Sequence, residues 1–132
     1  MLNDFMQEHQ LPDVFENIAE QYYQPFADRI FEQHKTKSKP YFIGINGCQG
    51  SGKSTLTDYL AAYFSSNYQL NVIVMSLDDF YFASEKRAQL AKDVHPLLAT
   101  RGVPGTHDMD ALESTLNKLM KRFSKIKKGA ED

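Results

Sequence analysis

One eight-residue pattern near the middle of the chain constrains its fold more than any other feature. Residues 47–54 read Gly-Cys-Gln-Gly-Ser-Gly-Lys-Ser and match G-x-x-x-x-G-K-S/T. The glycines allow the backbone to form a concave nest of N–H groups, and the helix expected next adds the positive end of its dipole. We therefore expect this loop to bind the phosphates of a nucleoside triphosphate. A glycine-rich turn without a ligand is the alternative interpretation.

Side chains of the loop have predicted roles as well. Lys53 can reach the β- and γ-phosphates, and the Ser54 hydroxyl can bind Mg²⁺. Cys48 lies at a variable position, where it is either a tolerated small residue or a redox-sensitive thiol. The predicted nucleotide-binding residues are Gly47, Cys48, Gln49, Gly50, Ser51, Gly52, Lys53, Ser54 and Thr55.

Apolar runs on both sides of the loop indicate the fold class. Residues 41–45 and 72–75 predict buried strands, and a helix between them is predicted as far as Asn67. A strand, a helix and a second strand form a right-handed unit with parallel strands. We therefore predict an α/β fold of the P-loop NTPase type, with three α/β/α layers, a parallel sheet and a helical N-terminal segment.

The chain is predicted to be one domain, with a helical region at residues 1–39 and a nucleotide-binding core at 40–132. Pro25 either kinks the N-terminal helix or starts a second one. The apolar stripe expected to pack there is Phe15, Ile18, Ala19, Tyr22, Phe26, Ala27, Ile30 and Phe31. A helix is predicted at residues 83–93. A last helix is predicted from about Asp108, with one face buried: Met109, Leu112, Leu116, Leu119 and Phe123.

Polar residues in two other segments are candidates for chemistry. Asp78 and Asp79 follow the second predicted strand, where open α/β sheets place their ligands. A carboxylate there can accept a proton from a hydroxyl or hold Mg²⁺; alternatively, the two aspartates are helix-capping or turn residues. In the Gly/Pro-rich loop, Arg101 and His107 can contact a substrate anion or oxygen, or be surface residues. Asp108 or Thr106 can N-cap the last helix.

Composition narrows the range of partners. The formal net charge is −2, from 15 basic and 17 acidic residues, which does not favour nucleic acid or an anionic membrane as the main partner. Cys48 is the only cysteine, which excludes an intramolecular disulfide and a Cys-rich zinc site. The N-terminus lacks a secretory signal pattern, and no apolar run could span a bilayer. We expect a cytoplasmic protein.

Three segments together resemble the P-loop small-molecule kinases of the phosphoribulokinase, uridine kinase and pantothenate kinase superfamily. They are residues 47–54, the sequence Ser-Leu-Asp-Asp-Phe-Tyr at 76–81, and the loop at 101–108. The likeness is greatest to the D-glycerate 3-kinase branch. It implies an enzyme that uses ATP and Mg²⁺ to phosphorylate a hydroxyl of a small metabolite, with D-glycerate or a related hydroxy acid as acceptor.

The resemblance also implies roles for individual residues. Asp78 would be the general base facing the acceptor. Asp78 and Ser54 would also be the residues that bind Mg²⁺. Lys53 would stabilise charge during transfer. The residues on the acceptor side would be Asp78, Tyr81, Arg101 and His107.

The resemblance covers only the N-terminal part of such a kinase. The later strands, a second acidic metal-site residue and an arginine-bearing lid have no counterpart, and the family's sheet has a further strand between the two predicted here. A sheet lacking that strand would leave apolar surface exposed. We therefore expect a truncated kinase, or a nucleotide-binding module that self-associates or joins other chains. A regulatory GTPase is disfavoured because the sequence has no N-K-x-D motif.

Overall fold

The computed structural model describes residues 1–37 and 40–131, with side chains described as far as Arg122. Ser38, Lys39 and Asp132, which the predicted domain boundaries include, lie outside these residues, as does the side chain of Phe123. The chain divides into two compact units, Met1–Val74 and Met75–Asp132, each of which is described by itself. The described α-helices are α1 (Leu2–Glu8), α2 (Val14–Ile18), α3 (Gln24–Lys35), α4 (Lys53–Tyr68), α5 (Ser84–Asp93) and α6 (Met109–Glu131).

The N-terminal part of the first unit is helical, as predicted. A π-helical turn, Ala19–Tyr23, joins α2 to α3, and Pro25 lies in the first turn of α3. Proline is tolerated there because an N–H in the first turn has no acceptor within the helix. Because the backbone at Ile18, Ala19, Tyr23 and Gln24 keeps right-handed helical angles, Pro25 lies next to a π-helical irregularity in one continuous helical run, and no separate helix start is formed there.

The core of the first unit forms where the N-terminal helices pack on α4. Its buried residues are Phe5, Phe15, Ala19, Ala27 and Ile30, together with Tyr59, Leu60, Tyr63 and Phe64 of α4. The predicted stripe is therefore correct in part. Ile18, Tyr22 and Phe26 are exposed instead. They form a second column of apolar residues, one position away from the buried column, and only one of the two columns can face α4.

Hydrogen bonds to a single carboxylate tie α3 to α4. The hydroxyls of Tyr63 and Tyr68 both donate to Asp28 Oδ1, at 2.7 and 2.6 Å. The Tyr68 ring also stacks on Phe31, with 3.6 Å between ring centroids. These contacts fix the direction of α4, whose first residue, Lys53, directly follows the glycines of the predicted phosphate loop.

Neither predicted strand is formed in the part of the chain described. Residues 41–45 and 72–75 have no regular secondary structure, and no described backbone hydrogen bond pairs them with a neighbour. Tyr41, Ile45 and Val72 pack against the core, as buried strand residues would. A strand, however, exists only where a neighbouring strand about 4.8 Å away accepts its hydrogen bonds. The burial predicted for these segments is therefore wrong for Phe42, Ile43, Ile73 and Val74, which are exposed, and only partial for Tyr41, Ile45 and Val72. The parallel sheet is not seen in the part of the chain described.

The second unit contains α5, α6 and two 3₁₀ turns, Leu77–Phe80 and Pro96–Ala99. The helix predicted at residues 83–93 is confirmed as α5. The last helix begins at Met109, but Met109 is exposed, and Leu112, Leu116 and Leu119 are only half-buried. The burial predicted for this face is therefore wrong for Met109 and partial for the leucines. Among the described helices, none combines the length and apolar character needed to cross a membrane.

Candidate functional site

The predicted phosphate loop enters α4 through two glycines in the left-handed region. Gly50 has φ +77° and Gly52 has φ +85°, a conformation in which a side chain would be strained. Between them, the Ser51 N–H donates to the Cys48 carbonyl at 3.2 Å and closes a tight turn. The backbone at residues 47–52 therefore curves back on itself before the helix starts.

The first glycine of the pattern is required for a different reason. A Cβ atom added to Gly47 would lie 2.6 Å from Ser51 Oγ, which is closer than real contacts allow. The Ser51 side chain therefore occupies the space that a side chain at position 47 would need. Close packing of the loop on itself explains this glycine, whereas backbone conformation explains Gly50 and Gly52.

The first turn of α4 presents free donors to solvent. Among the described contacts, the backbone N–H groups of Lys53, Ser54 and Thr55 have no backbone acceptor, and the first helical bond is Leu56 N–H to the Gly52 carbonyl at 3.0 Å. The side chains of Lys53 and Ser54 are exposed. Free N–H groups and the positive end of a helix dipole are what an anion needs. This end of α4 can therefore accept a phosphate group.

A magnesium site here would draw most of its ligands from a nucleotide. Mg²⁺ at phosphates keeps several waters and takes only one or two protein oxygens. The exposed Ser54 hydroxyl fits such a ligand. No cluster of three or more His, Cys, Asp or Glu in the described part of the chain could hold a metal by itself. A metal role for Asp78 stays a prediction.

Three residues predicted on the acceptor side lie together in the second unit. Tyr81 and His107 pair as an antiparallel bridge, and their rings stack at 4.1 Å between centroids with 25° between the planes. The Arg101 guanidinium lies 5.3 Å from the centroid of the Tyr81 ring. Among the described residues, no carboxylate pairs with Arg101. The cluster therefore presents one cation and one imidazole beside a tyrosine.

Backbone contacts hold this cluster on both sides of the bridge. The Phe82 N–H donates to the Thr106 carbonyl at 2.9 Å, and the Asp108 N–H donates to the Phe80 carbonyl at 2.6 Å. Thr106 itself is 0% exposed, and its hydroxyl donates to the Val103 carbonyl at 2.6 Å. Thr106 therefore folds the loop onto itself and does not cap α6.

The aspartates near this cluster differ in whether their carboxylates cap a helix. Asp78 and Asp79 lie in the first 3₁₀ turn, where the capping group is Ser76 Oγ, which accepts from the Asp78 N–H at 3.2 Å. Both carboxylates are exposed, without a described hydrogen bond or ion pair. Asp108, by contrast, caps α6, because its Oδ1 accepts from the Ala111 N–H at 2.9 Å. Capping is therefore confirmed for Asp108. Asp78 and Asp79 are turn residues, as the alternative interpretation of that pair has it, and neither carboxylate makes a described capping contact.

One residue beside the cluster has no predicted role in the sequence. Arg87 of α5 donates to the carbonyls of Phe82 and Ala99, at 3.1 and 3.0 Å. No motif contains it, and a single arginine in a charged helix is normally a solvated residue. Its half-burial and its two carbonyl contacts distinguish it from Lys86 and Lys92, the exposed basic residues of α5.

Comparison with known proteins finds relatives named as kinases. The chain is 40% identical over 92 residues to the uncharacterized kinase mug58 of Schizosaccharomyces pombe, covering 68% of this chain and 33% of that protein. It is 38% identical over 98 residues to the probable ATP-dependent kinase TDA10 of Saccharomyces cerevisiae, covering 70% and 34%. It is 28% identical over 95 residues to a pantothenate kinase of Streptococcus pneumoniae, covering 71% and 29%. No protein-family model and no solved structure matches.

The chain spans about a third of the length of the curated relatives it matches. Relatives named as kinases in two yeasts and a bacterium suggest the P-loop kinase superfamily, in agreement with the loop at residues 47–54. None of these three names mentions glycerate, so the acceptor stays a prediction.

Proposed function

We propose that this chain provides the nucleotide-binding and acceptor-binding parts of an ATP-dependent phosphotransferase that acts on a hydroxyl of a small metabolite. The observation that carries the proposal is the loop at residues 47–54, with its free N–H groups at the start of α4. The kinase names of three relatives support phosphoryl transfer over simple nucleotide binding.

The proposed reaction is in-line attack of the acceptor hydroxyl on the γ-phosphate. Backbone amides of the loop position the phosphates, and Lys53 stabilises the charge that spreads over the transferred group. The Ser54 hydroxyl would help to hold Mg²⁺, which would supply further charge neutralisation. Asp78 accepts the hydroxyl proton, a role that its free carboxylate permits.

The acceptor we propose is D-glycerate or a related hydroxy acid. Support comes from the cluster in the second unit, where Arg101 has no described carboxylate partner. A guanidinium has a planar set of donors that matches a carboxylate with two parallel hydrogen bonds. His107 adds a donor beside it, and the stacked Tyr81 ring limits where the acceptor can lie.

The nucleotide assignment is tested by replacing Lys53 with Ala and titrating ATP in a calorimeter. We expect the affinity to fall at least about tenfold, because a charge-assisted contact to phosphate contributes about 1.5–3 kcal/mol. Lys92→Ala, an exposed lysine of α5, is the matched control and should bind ATP as the wild type does. Equal affinity in the Lys53→Ala variant would refute the assignment.

The catalytic assignment is tested separately with Asp78→Asn. This variant should bind ATP normally and lose transfer to the acceptor, because an amide cannot accept the hydroxyl proton. Asp79→Asn is the matched control, since both carboxylates lie exposed in the same 3₁₀ turn. Wild-type turnover in Asp78→Asn would show that Asp78 is not the base.

A second candidate function is a nucleotide-binding module that is catalytically incomplete until other chains, or further copies of this chain, complete its fold. The observation that favours it is a set of exposed apolar residues within the two unformed strands: Phe42, Ile43, Ile73 and Val74. Their segments have no described backbone pairing, which leaves a place for additional strands. Sedimentation combined with an ADP-release assay decides between the two: a monomer that phosphorylates glycerate eliminates the module.

A further inference from the structure

Arg87 uses its guanidinium to join two separate chain segments. The residue is half-buried in α5. Its Nε–H donates to the Phe82 carbonyl at 3.1 Å, and its Nη1–H donates to the Ala99 carbonyl at 3.0 Å. No described carboxylate pairs with it. Its charge therefore serves two backbone carbonyls.

The two carbonyls belong to the segments that carry the cluster of Tyr81, Arg101 and His107. Phe82 directly follows Tyr81, and its N–H is bonded to the carbonyl of Thr106, next to His107. Ala99 ends the second 3₁₀ turn, two residues before Arg101. The Arg87 guanidinium thus connects the backbone next to Tyr81 with the backbone that leads to Arg101.

The chemistry of this contact requires arginine. A guanidinium presents several N–H groups in one rigid plane, so two of them can donate to carbonyls that lie in different directions. A lysine ammonium keeps the charge but is a compact group on a flexible stem, and it cannot replace a rigid fork between two fixed acceptors. Hydrogen bonds from charged donors are about twice as strong as neutral ones.

We infer that Arg87 is a positioning residue for the acceptor, acting through the cluster of Tyr81, Arg101 and His107. It holds the backbone beside Tyr81 at a fixed distance from the backbone that leads to Arg101, so that the guanidinium of Arg101 stays over the tyrosine ring. The link to acceptor binding rests on the proposed function. The expected consequence is selective: acceptor affinity depends on Arg87, and ATP affinity, which belongs to the loop at residues 47–54, does not.

The experiment compares Arg87→Lys and Arg87→Met with Lys92→Met, a substitution of an exposed lysine on the same helix. The first measurement is the NMR spectrum of the His107 ring, assigned with His107→Gln. In the wild type, the Tyr81 ring current displaces these resonances, because the rings stack at 4.1 Å. We expect them to shift towards the positions of free histidine in both Arg87 variants and to stay unchanged in Lys92→Met.

The second measurement is steady-state kinetics with D-glycerate as acceptor. In Arg87→Lys we expect the KM for glycerate to rise about tenfold, the factor that corresponds to loss of one charge-assisted hydrogen bond, with the KM for ATP unchanged. Thermal unfolding monitors the fold, and Arg87→Lys serves as the informative variant if Arg87→Met unfolds.

Each outcome decides the inference. Unshifted His107 resonances in Arg87→Lys would overturn it, as would shifted resonances with a wild-type KM for glycerate, or equal rises in the two KM values. If the wild type shows no turnover, the proposed function has failed. The His107 spectrum then still decides whether Arg87 positions the cluster.

Discussion

The ring of His107 stacks on the ring of Tyr81, with 4.1 Å between their centroids. The stacking follows from the backbone, because the two residues form an antiparallel bridge and so project side chains from adjacent positions on the same face. The two residues are 26 positions apart in the sequence (107 − 81). Their contact places the loop at residues 101–108 against the segment that carries Asp78.

His107 can contribute in two ways, by stacking its ring on Tyr81 and by donating a hydrogen bond from a ring nitrogen. Two substitutions are needed to measure these contributions separately. His107→Phe keeps a ring on Tyr81 but removes both nitrogen atoms, whereas His107→Ala removes the stack as well. We expect the free energy of unfolding to fall by about 1 kcal/mol in His107→Ala and to stay near the wild type in His107→Phe. Chemical denaturation measures this difference.

Acceptor binding, unlike stability, should be affected equally in His107→Phe and His107→Ala. Because neither Phe nor Ala can donate to an acceptor oxygen, both should raise the KM for D-glycerate, by up to about tenfold for one lost hydrogen bond. A His107→Phe variant with the wild-type KM would show that His107 contributes stacking alone.

The contact between Gly47 and Ser51 in the phosphate loop can be tested with one substitution that should weaken ATP binding and a second that should restore it. Gly47→Ala brings a methyl group within 2.6 Å of Ser51 Oγ, so the Ser51 side chain must rotate away or the loop must shift. We expect the ATP affinity measured by calorimetry to fall about tenfold, the effect of an overpacking strain of 1–3 kcal/mol.

The double variant Gly47→Ala, Ser51→Ala removes that oxygen and should recover most of the affinity, because the remaining contact, to the Ser51 Cβ at 3.6 Å, is an ordinary one. Ser51→Ala alone is the control for any contribution of the hydroxyl. If the double variant binds ATP as weakly as Gly47→Ala, the steric explanation is wrong.

The local features of the fold were predictable from the sequence because their causes are local. The positive φ angles of Gly50 and Gly52 and the start of α4 at Lys53 follow from eight adjacent residues. The position of Pro25 in the first turn of α3 follows from the missing N–H of proline. In each case the residues that decide the structure are adjacent in the sequence.

Features that depend on distant partners were predicted less well. Residues 41–45 and 72–75 have the composition of strands, but a strand needs a hydrogen-bonding neighbour, which composition does not supply. The choice between the buried column at Phe15 and Ala19 and the exposed column at Ile18 and Tyr22 depends on which side faces α4. Arg87 could not be singled out, because its two acceptors are carbonyls, which every residue has.

The capping contact at the start of α6 can be measured by a pair of substitutions. Asp108→Ala removes the acceptor of the Ala111 N–H, which lies 2.9 Å from Oδ1, whereas Asp108→Asn keeps an acceptor oxygen. We expect Asp108→Ala to lower the free energy of unfolding by about 1 kcal/mol and Asp108→Asn to lower it by much less. Asp110→Ala, an acidic residue of the first turn, controls for the helix dipole. Equal losses in the Ala and Asn variants would contradict the cap.

The tyrosines of the first unit predict a loss of stability at high pH. Burial raises the pKa of Tyr59 from 10.0 to about 12, and the hydrogen bond to Asp28 raises the pKa of Tyr68 to about 12. Since the folded state favours the neutral phenols, their stabilisation is complete below the unfolded pKa near 10 and is lost as the pH rises through 12. The free energy of unfolding should therefore fall between pH 10 and 12.

Asp28→Asn distinguishes the two causes of these shifts. The substitution removes the carboxylate charge but keeps an amide oxygen that can accept from the Tyr68 hydroxyl, so the pKa of Tyr68 should fall only part of the way towards 10.0, while that of Tyr59, raised chiefly by burial, should remain near 12. Ultraviolet absorbance of tyrosinate follows both titrations, with Tyr68→Phe identifying the Tyr68 step. Asp13→Asn, whose side chain makes no capping hydrogen bond at α2, is the matched control and should leave the titration unchanged. A Tyr68 step that stays near 12 in Asp28→Asn would show that the carboxylate charge is not the cause of the shift.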